Sequence, residues 1–354
     1  MNPLPIRLLF RSHNRRGLGH LMRGLNLARE IRRLAPSSEI LFYTRSDSAE
    51  LLCGQDFRYF IETDLQGTAH WPEVVRSFSP DVVIYDTLLP QDATQEALLP
   101  SAQYVYIMRK CQEARQQEIF QSAFLDRLDL ILIPHTPEEF AHELPPSLAQ
   151  RSFFVGPIVR MPRPEIQDRL REKYGIEERD FLLTSTVGGG GFEAQAESFF
   201  ATVFAVHRRL YPALPHLRHL VIQGPNFGRS LSALDGMTVI AYEPEMIDLF
   251  VLSNLVIAEG GYNTVNEIRL AKAPAVFLPS PRNYDDQEER VRALEERGLA
   301  WVFAGCSPEK ISQKVVELCS SESGLSEIKK RYAMDRMETG NRAAAEKIVG
   351  VVVR

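Results

Sequence analysis

Short apolar runs recur along the chain, and longer amphipathic stretches separate them. Ile6–Phe10, Glu39–Tyr43, Asp81–Tyr85, Tyr104–Met108 and Leu130–Ile133 are rich in β-branched and aromatic residues. Between the first two, the stretch from Leu21 to Leu34 has the pattern of an amphipathic helix. Apolar strands alternating with amphipathic helices predict a parallel α/β sheet.

The pattern breaks at Gly156-Pro157-Ile158-Val159-Arg160-Met161-Pro162-Arg163-Pro164, where three prolines and a glycine read as a linker. It then resumes with Phe181–Ser185, His219–Gln223, Thr238–Tyr242, Leu255–Ala258, Ala275–Leu278 and Ala300–Phe303. The expected organisation is two Rossmann-like α/β domains, 1–158 and 159–335. A helical tail, 336–354, is expected to return to the first domain. Ligands of such sheets bind at the carboxyl ends of the strands. Two sheets facing one another would line a shared cleft with those loops.

The 354 residues suit two domains, and 44% hydrophobic content gives a core that needs no disulfide or metal. Cys53, Cys111, Cys306 and Cys319 form no C-x-x-C pair, which fits a reducing compartment. The N-terminal apolar run is too short for a signal peptide, and no stretch approaches a membrane span, so a cytoplasmic protein is expected. Net charge is −5 with no long basic run, which argues against nucleic acid. Between residues 7 and 33, however, Arg7, Arg11, Arg15, Arg16, Arg23, Arg29, Arg32 and Arg33 face only Glu30. They solvate a helix face, or they greet a phosphate-rich ligand or an anionic membrane surface.

Four loops that follow strands carry candidate chemistry. In Gly17-Leu18-Gly19-His20 the glycines permit a sharp turn before a helix whose N-terminus suits an anion. His20 titrates near neutrality and can take a proton from a hydroxyl or water. Gly188-Gly189-Gly190-Gly191 exposes backbone N–H groups, a nest for a diphosphate. In Ala258-Glu259-Gly260-Gly261-Tyr262-Asn263-Thr264-Val265-Asn266-Glu267 a turn opens a helix. Glu267 there can accept two ribose hydroxyls, or it completes a capping box with Thr264. Asp285-Asp286-Gln287-Glu288 taken alone reads as an acidic helix start. Arg109 and Lys110 also follow a strand. The remaining histidines, among them His207 and His219, lack acids at metal-ligand spacing and read as surface or packing residues; no metal site is expected.

The run from Ala258 to Gly298 resembles the donor-binding domain of glycosyltransferase family 28, with Thr264, Glu267, Pro274, Gln287 and Ala293 matching in order. That resemblance implies the two-domain GT-B fold and a nucleotide-sugar, UDP-linked, as substrate, with no cofactor. It implies that Gly260, Gly261, Asn263 and Thr264 approach the diphosphate and that Glu267 holds the ribose. Asp286 and Gln287 would contact the sugar, the backbone at Tyr242 would read the base, and the loop containing Gly189, Gly190 and Gly191 would be the phosphate loop. Arg290 and Arg292 stand where the family often has an asparagine. The N-terminal G-x-G-H-x-x-R segment, ending at Arg23, is similar to that of predicted glycosyltransferases and of the nucleotide-sugar hydrolase of pseudaminic acid synthesis. There the histidine is the base.

The expected activity is metal-independent sugar transfer with inversion, His20 being the base, and Gly19 part of the donor site. The acceptor is unassigned: a small molecule, a glycan or a lipid-linked molecule. Arg15, Arg16, Arg23 and Arg109 are candidate acceptor or phosphate contacts, with weak peripheral contact at the inner membrane face. Alternatives are a hydrolase using water as nucleophile, a nucleotide-sugar epimerase, and a non-catalytic nucleotide-binding module.

Overall fold

The computed structural model describes residues 5–12, 15, 17–54, 56–64, 68–90, 96–282, 287–320 and 322–352. The chain forms two compact units: Met1–Val159 with Glu338–Arg354, and Arg160–Met337.

Unit 1 is built on β1 (Arg7–Ser12), β2 (Glu39–Thr44), β3 (Arg58–Ile61), β4 (Val82–Asp86), β5 (Gln103–Ile107), β6 (Leu130–Ile133) and β7 (Ser152–Phe154), in spatial order β3-β2-β1-β4-β5-β6-β7. All neighbours pair in parallel; Leu9 on β1 lies opposite Leu41 on one side and Val83 on the other. Parallel pairing makes every connection cross a face of the sheet, so both faces are covered and the central strands are largely apolar. Leu8, Leu9 and Phe10 are accordingly fully buried. The sequence pattern misses β3 and β7. These are the edge strands, part-exposed, and their apolar runs are only two or three residues long.

The first crossover is α1 (Gly19–Leu34), which starts two residues before Leu21, so Gly19 and His20 lie in its first turn. It packs close to the sheet: a Cβ on Gly24 would lie 2.9 Å from the Phe42 ring.

Unit 2 repeats the plan with β8 (Phe181–Thr186), β9 (Leu217–Ile222), β10 (Met237–Ile240), β11 (Leu255–Ala258), β12 (Ala275–Phe277) and β13 (Trp301–Val302) in order β10-β9-β8-β11-β12-β13, again all parallel. Its principal helices are α2 (Glu193–Leu210), α3 (Tyr262–Ala271), α4 (Gln287–Glu296), α5 (Pro308–Ser320) and α6 (Glu322–Met334). β10 ends at Ile240, so Tyr242 belongs to the following loop rather than to the strand.

His207 on α2 and His219 on β9 are fully buried in unit 2 and bonded to one another. The Asp235 carbonyl can only accept, so His207 Nε2 donates to it at 2.9 Å. His207 Nδ1 then accepts from His219 Nδ1 at 3.1 Å, and His219 Nε2 accepts from the Ser185 hydroxyl at 2.8 Å. Burial lowers the pKa of both rings, which keeps this one-directional chain neutral.

The chain then re-enters unit 1 as α7 (Asn341–Val352), which packs along α1. The Gly340 amide donates to the Pro157 carbonyl at 2.6 Å, and Asn341 Nδ2 to the Val159 carbonyl at 2.7 Å. Among the described residues no helix is long and apolar enough to cross a membrane.

A Cβ on Gly340 would lie 2.4 Å from the carbonyl oxygens of Val155 and Gly156. Gly340→Ala is therefore expected to undock α7 and to cost unit 1 about 1–3 kcal/mol, the usual scale of steric overpacking. Urea denaturation followed by far-UV circular dichroism measures it, and an unchanged midpoint would refute this docking.

Candidate functional site

In each sheet the strand order reverses once, between β1 and β4 and between β8 and β11. Successive crossovers there pass to opposite faces, which leaves an opening at the carboxyl ends of the strands. The candidate loops lie at these two places.

In unit 1, α1 follows β1 and carries His20 in its first turn, and β4 ends at Asp86. His20 Nδ1 lies 3.6 Å from Asp86 Oδ1, beyond a hydrogen bond but close enough for charge to act. The imidazole is 13% exposed. Burial lowers its pKa to about 4; Arg23 and Arg109 lower it too, while Asp86 opposes them. His20 is thus neutral at physiological pH, the form that can accept a proton.

Asp86 was not singled out from the sequence. It is held by Arg23, whose Nε donates to Oδ2 at 2.9 Å and whose Nη2 donates to Oδ1. Both side chains are 1% exposed. Arg23 Nη2 also donates to the Thr87 hydroxyl at 2.8 Å, and that hydroxyl donates to Asp86 at 2.9 Å. Arg23, expected as an acceptor or phosphate contact, is instead buried and committed to Asp86, so that assignment is corrected. Thr87 has φ of 60°, an unfavourable backbone for a β-branched residue. The Tyr106 hydroxyl donating to its carbonyl at 2.8 Å and its own amide donating to the Ile107 carbonyl at 3.0 Å hold it there.

Arg109, half-buried just past β5, comes near enough to bear on His20. Arg15 is exposed. Arg16 lies outside the described residues.

In unit 2 the two glycine loops meet. Gly188 and Gly190 have φ of 71° and 75°, which their lack of a side chain permits. A Cβ on Gly190 would lie 2.6 Å from the Gln223 carbonyl, and one on Gly224 only 2.3 Å from the Gly188 carbonyl. The loops after β8 and β9 are thus pressed together backbone to backbone, and the Asn226 amide donates to the Gly189 carbonyl at 3.0 Å. Gly189 and Gly191 are half-buried. The Thr264 hydroxyl lies 3.6 Å from where a Gly188 Cβ would be, between this loop and the Gly260–Gly261 turn.

The capping box read from Thr264 and Glu267 does not form. The helix starts one turn earlier than that reading requires, with Gly261 as its N-cap and no side-chain cap. Thr264 and Glu267 are inside α3, and Asn263 is half-buried in its first turn. Desolvation pushes the Glu267 carboxyl up to about 7, with Arg160 acting against it.

Gln287, 5% exposed, packs on Gly260: a Cβ there would meet the Gln287 backbone at 3.0 Å. Arg290 Nη1 donates to the Gly260 carbonyl at 2.6 Å. Asp286 lies outside the described residues. Glu259, absent from the sequence-derived candidates, is 5% exposed and binds the Ser280 hydroxyl and Arg282 Nη2, both at 2.7 Å. Arg282 also lies 3.9 Å over the Phe192 ring at the entrance to α2. Its signal in sequence was slight, a single acid between a strand and a glycine turn.

Asp86→Asn leaves the buried Arg23 guanidinium without its charge partner, and a loss of about 3–5 kcal/mol is expected. Calorimetry checks this; a loss within surface-mutation range would mean Arg23 finds another partner. Glu267 binds its proton more tightly when folded than the ordinary value of 4.5, so stability falls as pH rises from about 4.5 to about 7. Glu267→Gln removes that cost. Its melting temperature relative to wild type should increase between pH 5 and pH 8, whereas a pH-independent difference would contradict the raised pKa.

Residues 216–347 match the glycosyltransferase family 28 C-terminal domain, and the run Ala258–Gly298 falls inside them. An uncharacterized glycosyltransferase of Methanopyrus kandleri is 25% identical over 189 residues, covering 52% of this chain and 50% of its own. A UDP-N-acetylglucosamine–N-acetylmuramyl-(pentapeptide) pyrophosphoryl-undecaprenol N-acetylglucosamine transferase of Symbiobacterium thermophilum is 27% identical over 201 residues, 53% of this chain and 52% of its own. The chain thus spans about half the length of these two relatives. The enzyme of the same name from Acetivibrio thermocellus is 22% identical over 348 residues, covering 88% and 89%. Among solved structures, spinosyn forosaminyltransferase aligns with a TM-score of 0.66 at 13% identity, over 99% of this chain and 100% of that one. MurG of Acinetobacter baumannii aligns with a TM-score of 0.59 at 14% identity, over 98% and 100%. Identities that low speak to fold alone. The chain therefore has the two-unit GT-B fold of glycosyltransferases, and its residues 216–347, most of them in unit 2, match their family 28 C-terminal domain.

Proposed function

We propose that this chain is an inverting glycosyltransferase that moves a sugar from a UDP-linked donor to an acceptor hydroxyl. The observation that carries the reading is His20, an imidazole kept neutral by burial at the reversal point of a parallel sheet, with Asp86 beside it. The family 28 match in unit 2 supports giving the donor to that unit.

In this reading backbone amides of Gly189–Gly191 and Gly260–Gly261 take the diphosphate, together with the Thr264 hydroxyl. Glu267 accepts the ribose hydroxyls, and the backbone at Tyr242 reads the base. Gln287 and Asp286 contact the sugar. His20 removes the proton from the acceptor hydroxyl. The oxygen forms a bond to the anomeric carbon from the face opposite the diphosphate. The carbon–oxygen bond to the diphosphate breaks, and its electron pair leaves on the phosphate oxygen. Amides and the helix start of α3 balance that charge, so the chemistry proceeds without a metal.

The relatives named for N-acetylglucosamine transfer to a pyrophosphoryl-undecaprenol substrate favour a lipid-linked acceptor. Arg109, within reach of His20, then serves the acceptor's phosphate.

UDP release from UDP-N-acetylglucosamine over a panel of acceptors tests the scheme. His20→Ala should lower turnover at least ~100-fold, the scale of a lost general base. The rise in melting temperature with UDP should survive the change, because the base is not a donor contact. Normal turnover in the variant would remove His20 from the mechanism, and no thermal shift with any nucleoside diphosphate would overturn the donor assignment.

A further inference from the structure

We propose that unit 2 carries a second anion site, for a phosphate-bearing ligand, at the opposite ends of the helices that start at the glycine turn and the sugar loop. In a parallel sheet a crossover helix starts at the carboxyl ends of the strands and finishes at their amino ends. α3 spans ten residues, about 15 Å. Its first turn holds Asn263 and Thr264, and its last turn holds Arg269. Arg297 directly follows α4, and α6 brings Arg331 to the same place.

These three arginines and Arg336 line a surface pocket of about 640 Å³ together with Glu327 and Asp335. Four guanidinium groups against two carboxylates leave the lining with a charge of 4 − 2 = +2. A phosphate dianion would neutralise it. Guanidinium forks match phosphate oxygens in pairs, which a lysine cannot do.

The pocket is held in shape by its own acid. Asp335, 5% exposed, accepts from Arg269 Nε at 2.7 Å and Arg269 Nη2 at 3.1 Å, and also from Arg297 Nη2. Its burial would favour the protonated acid, but Arg269 and Arg297 outweigh that and hold its pKa below the ordinary value. It therefore stays ionised and orients two guanidiniums, while Glu327 accepts from Arg331 Nε at 3.2 Å along α6 and leaves the outer Nη groups of that fork available. Gly298 adds a second constraint. With φ of 66° it suits glycine, and a Cβ there would lie 2.0 Å from Arg331 Nη1. The missing side chain is what lets Arg331 lie against this backbone. A salt-bridge staple between α3 and the end of α6 would need Arg269 and Asp335 alone; it does not call for Arg336 beside them.

The test is calorimetric titration of the full chain with tripolyphosphate at low ionic strength, with UDP present to occupy the glycine loops. Wild type should bind, and Arg297→Gln/Arg331→Gln should weaken binding at least about tenfold, the worth of one charge-assisted hydrogen bond. The variant gives up the Arg297–Asp335 and Arg331–Glu327 pairs, whose arginines are about half exposed, and keeps the more buried Arg269–Asp335 pair, so the melting temperature should fall by only a few degrees. Arg336→Gln is the second variant and should weaken binding in the same direction. The readout is a difference between variants, so it stands whether or not the glycine loops take UDP. Flotation with vesicles of roughly one-quarter phosphatidylglycerol in phosphatidylcholine identifies the source of the phosphate. Flotation that tripolyphosphate reverses and the double variant lacks assigns a lipid headgroup. Tripolyphosphate binding without flotation assigns a soluble phosphate. No tripolyphosphate binding by wild type, or equal binding by the double variant, overturns the site.

Discussion

The ion pair between Arg23 and Asp86 joins α1 to the end of β4 where water does not reach. A buried pair tolerates little displacement, because either charge left alone there costs several kcal/mol. It therefore fixes the rotation of α1 over the sheet. His20 stands three residues before Arg23 on that helix, on the same face, so the pair that locks the helix also decides where the imidazole points. The strained backbone at Thr87 belongs to the same arrangement, since its hydroxyl is shared by Arg23 and Asp86.

Unit 2 solves the matching problem by other means. Beside its reversal point the loops after β8 and β9 press glycines backbone to backbone, and among the described residues no buried ion pair joins helix to strand there. A Cβ on Gly190 or Gly224 would meet neighbouring carbonyls, so these loops can pack this closely only with glycine at both positions. Glu259 braces the next loop through Ser280 and Arg282. One unit thus presents a tuned titratable group and the other a set of fixed dipoles. The proposed sugar transfer would draw on a proton acceptor and on an environment for departing negative charge.

The two perturbed groups of these sites move in opposite directions for one reason. Desolvation disfavours whichever form is charged, so the imidazole of His20 goes down to about 4 and the carboxyl of Glu267 goes up to about 7. Each is left closer to neutral in the empty protein than its free counterpart would be. A polar ligand that supplies hydrogen bonds to Glu267 would favour its ionised form.

Much of this was legible in the chain itself. Apolar runs such as Val82–Tyr85, within Asp81–Tyr85, and Leu255–Ala258 declared parallel strands, because strands covered on both faces read as near-continuous apolar runs. Glycines next to strand ends marked the loops, because backbone turns that tight exclude side chains. Edge strands β3 and β7 escaped, since a half-exposed strand needs no long apolar run. Only tertiary structure made Arg23 a structural cation rather than a ligand contact, because sequence places it in an arginine-rich segment while its partner lies 63 residues away. The same holds for Asp86, for the buried His207–His219 chain, and for the arginines gathered around Asp335. Local pattern specifies which face of an element is buried; which charges then meet across elements depends on how the crossovers bring distant residues together.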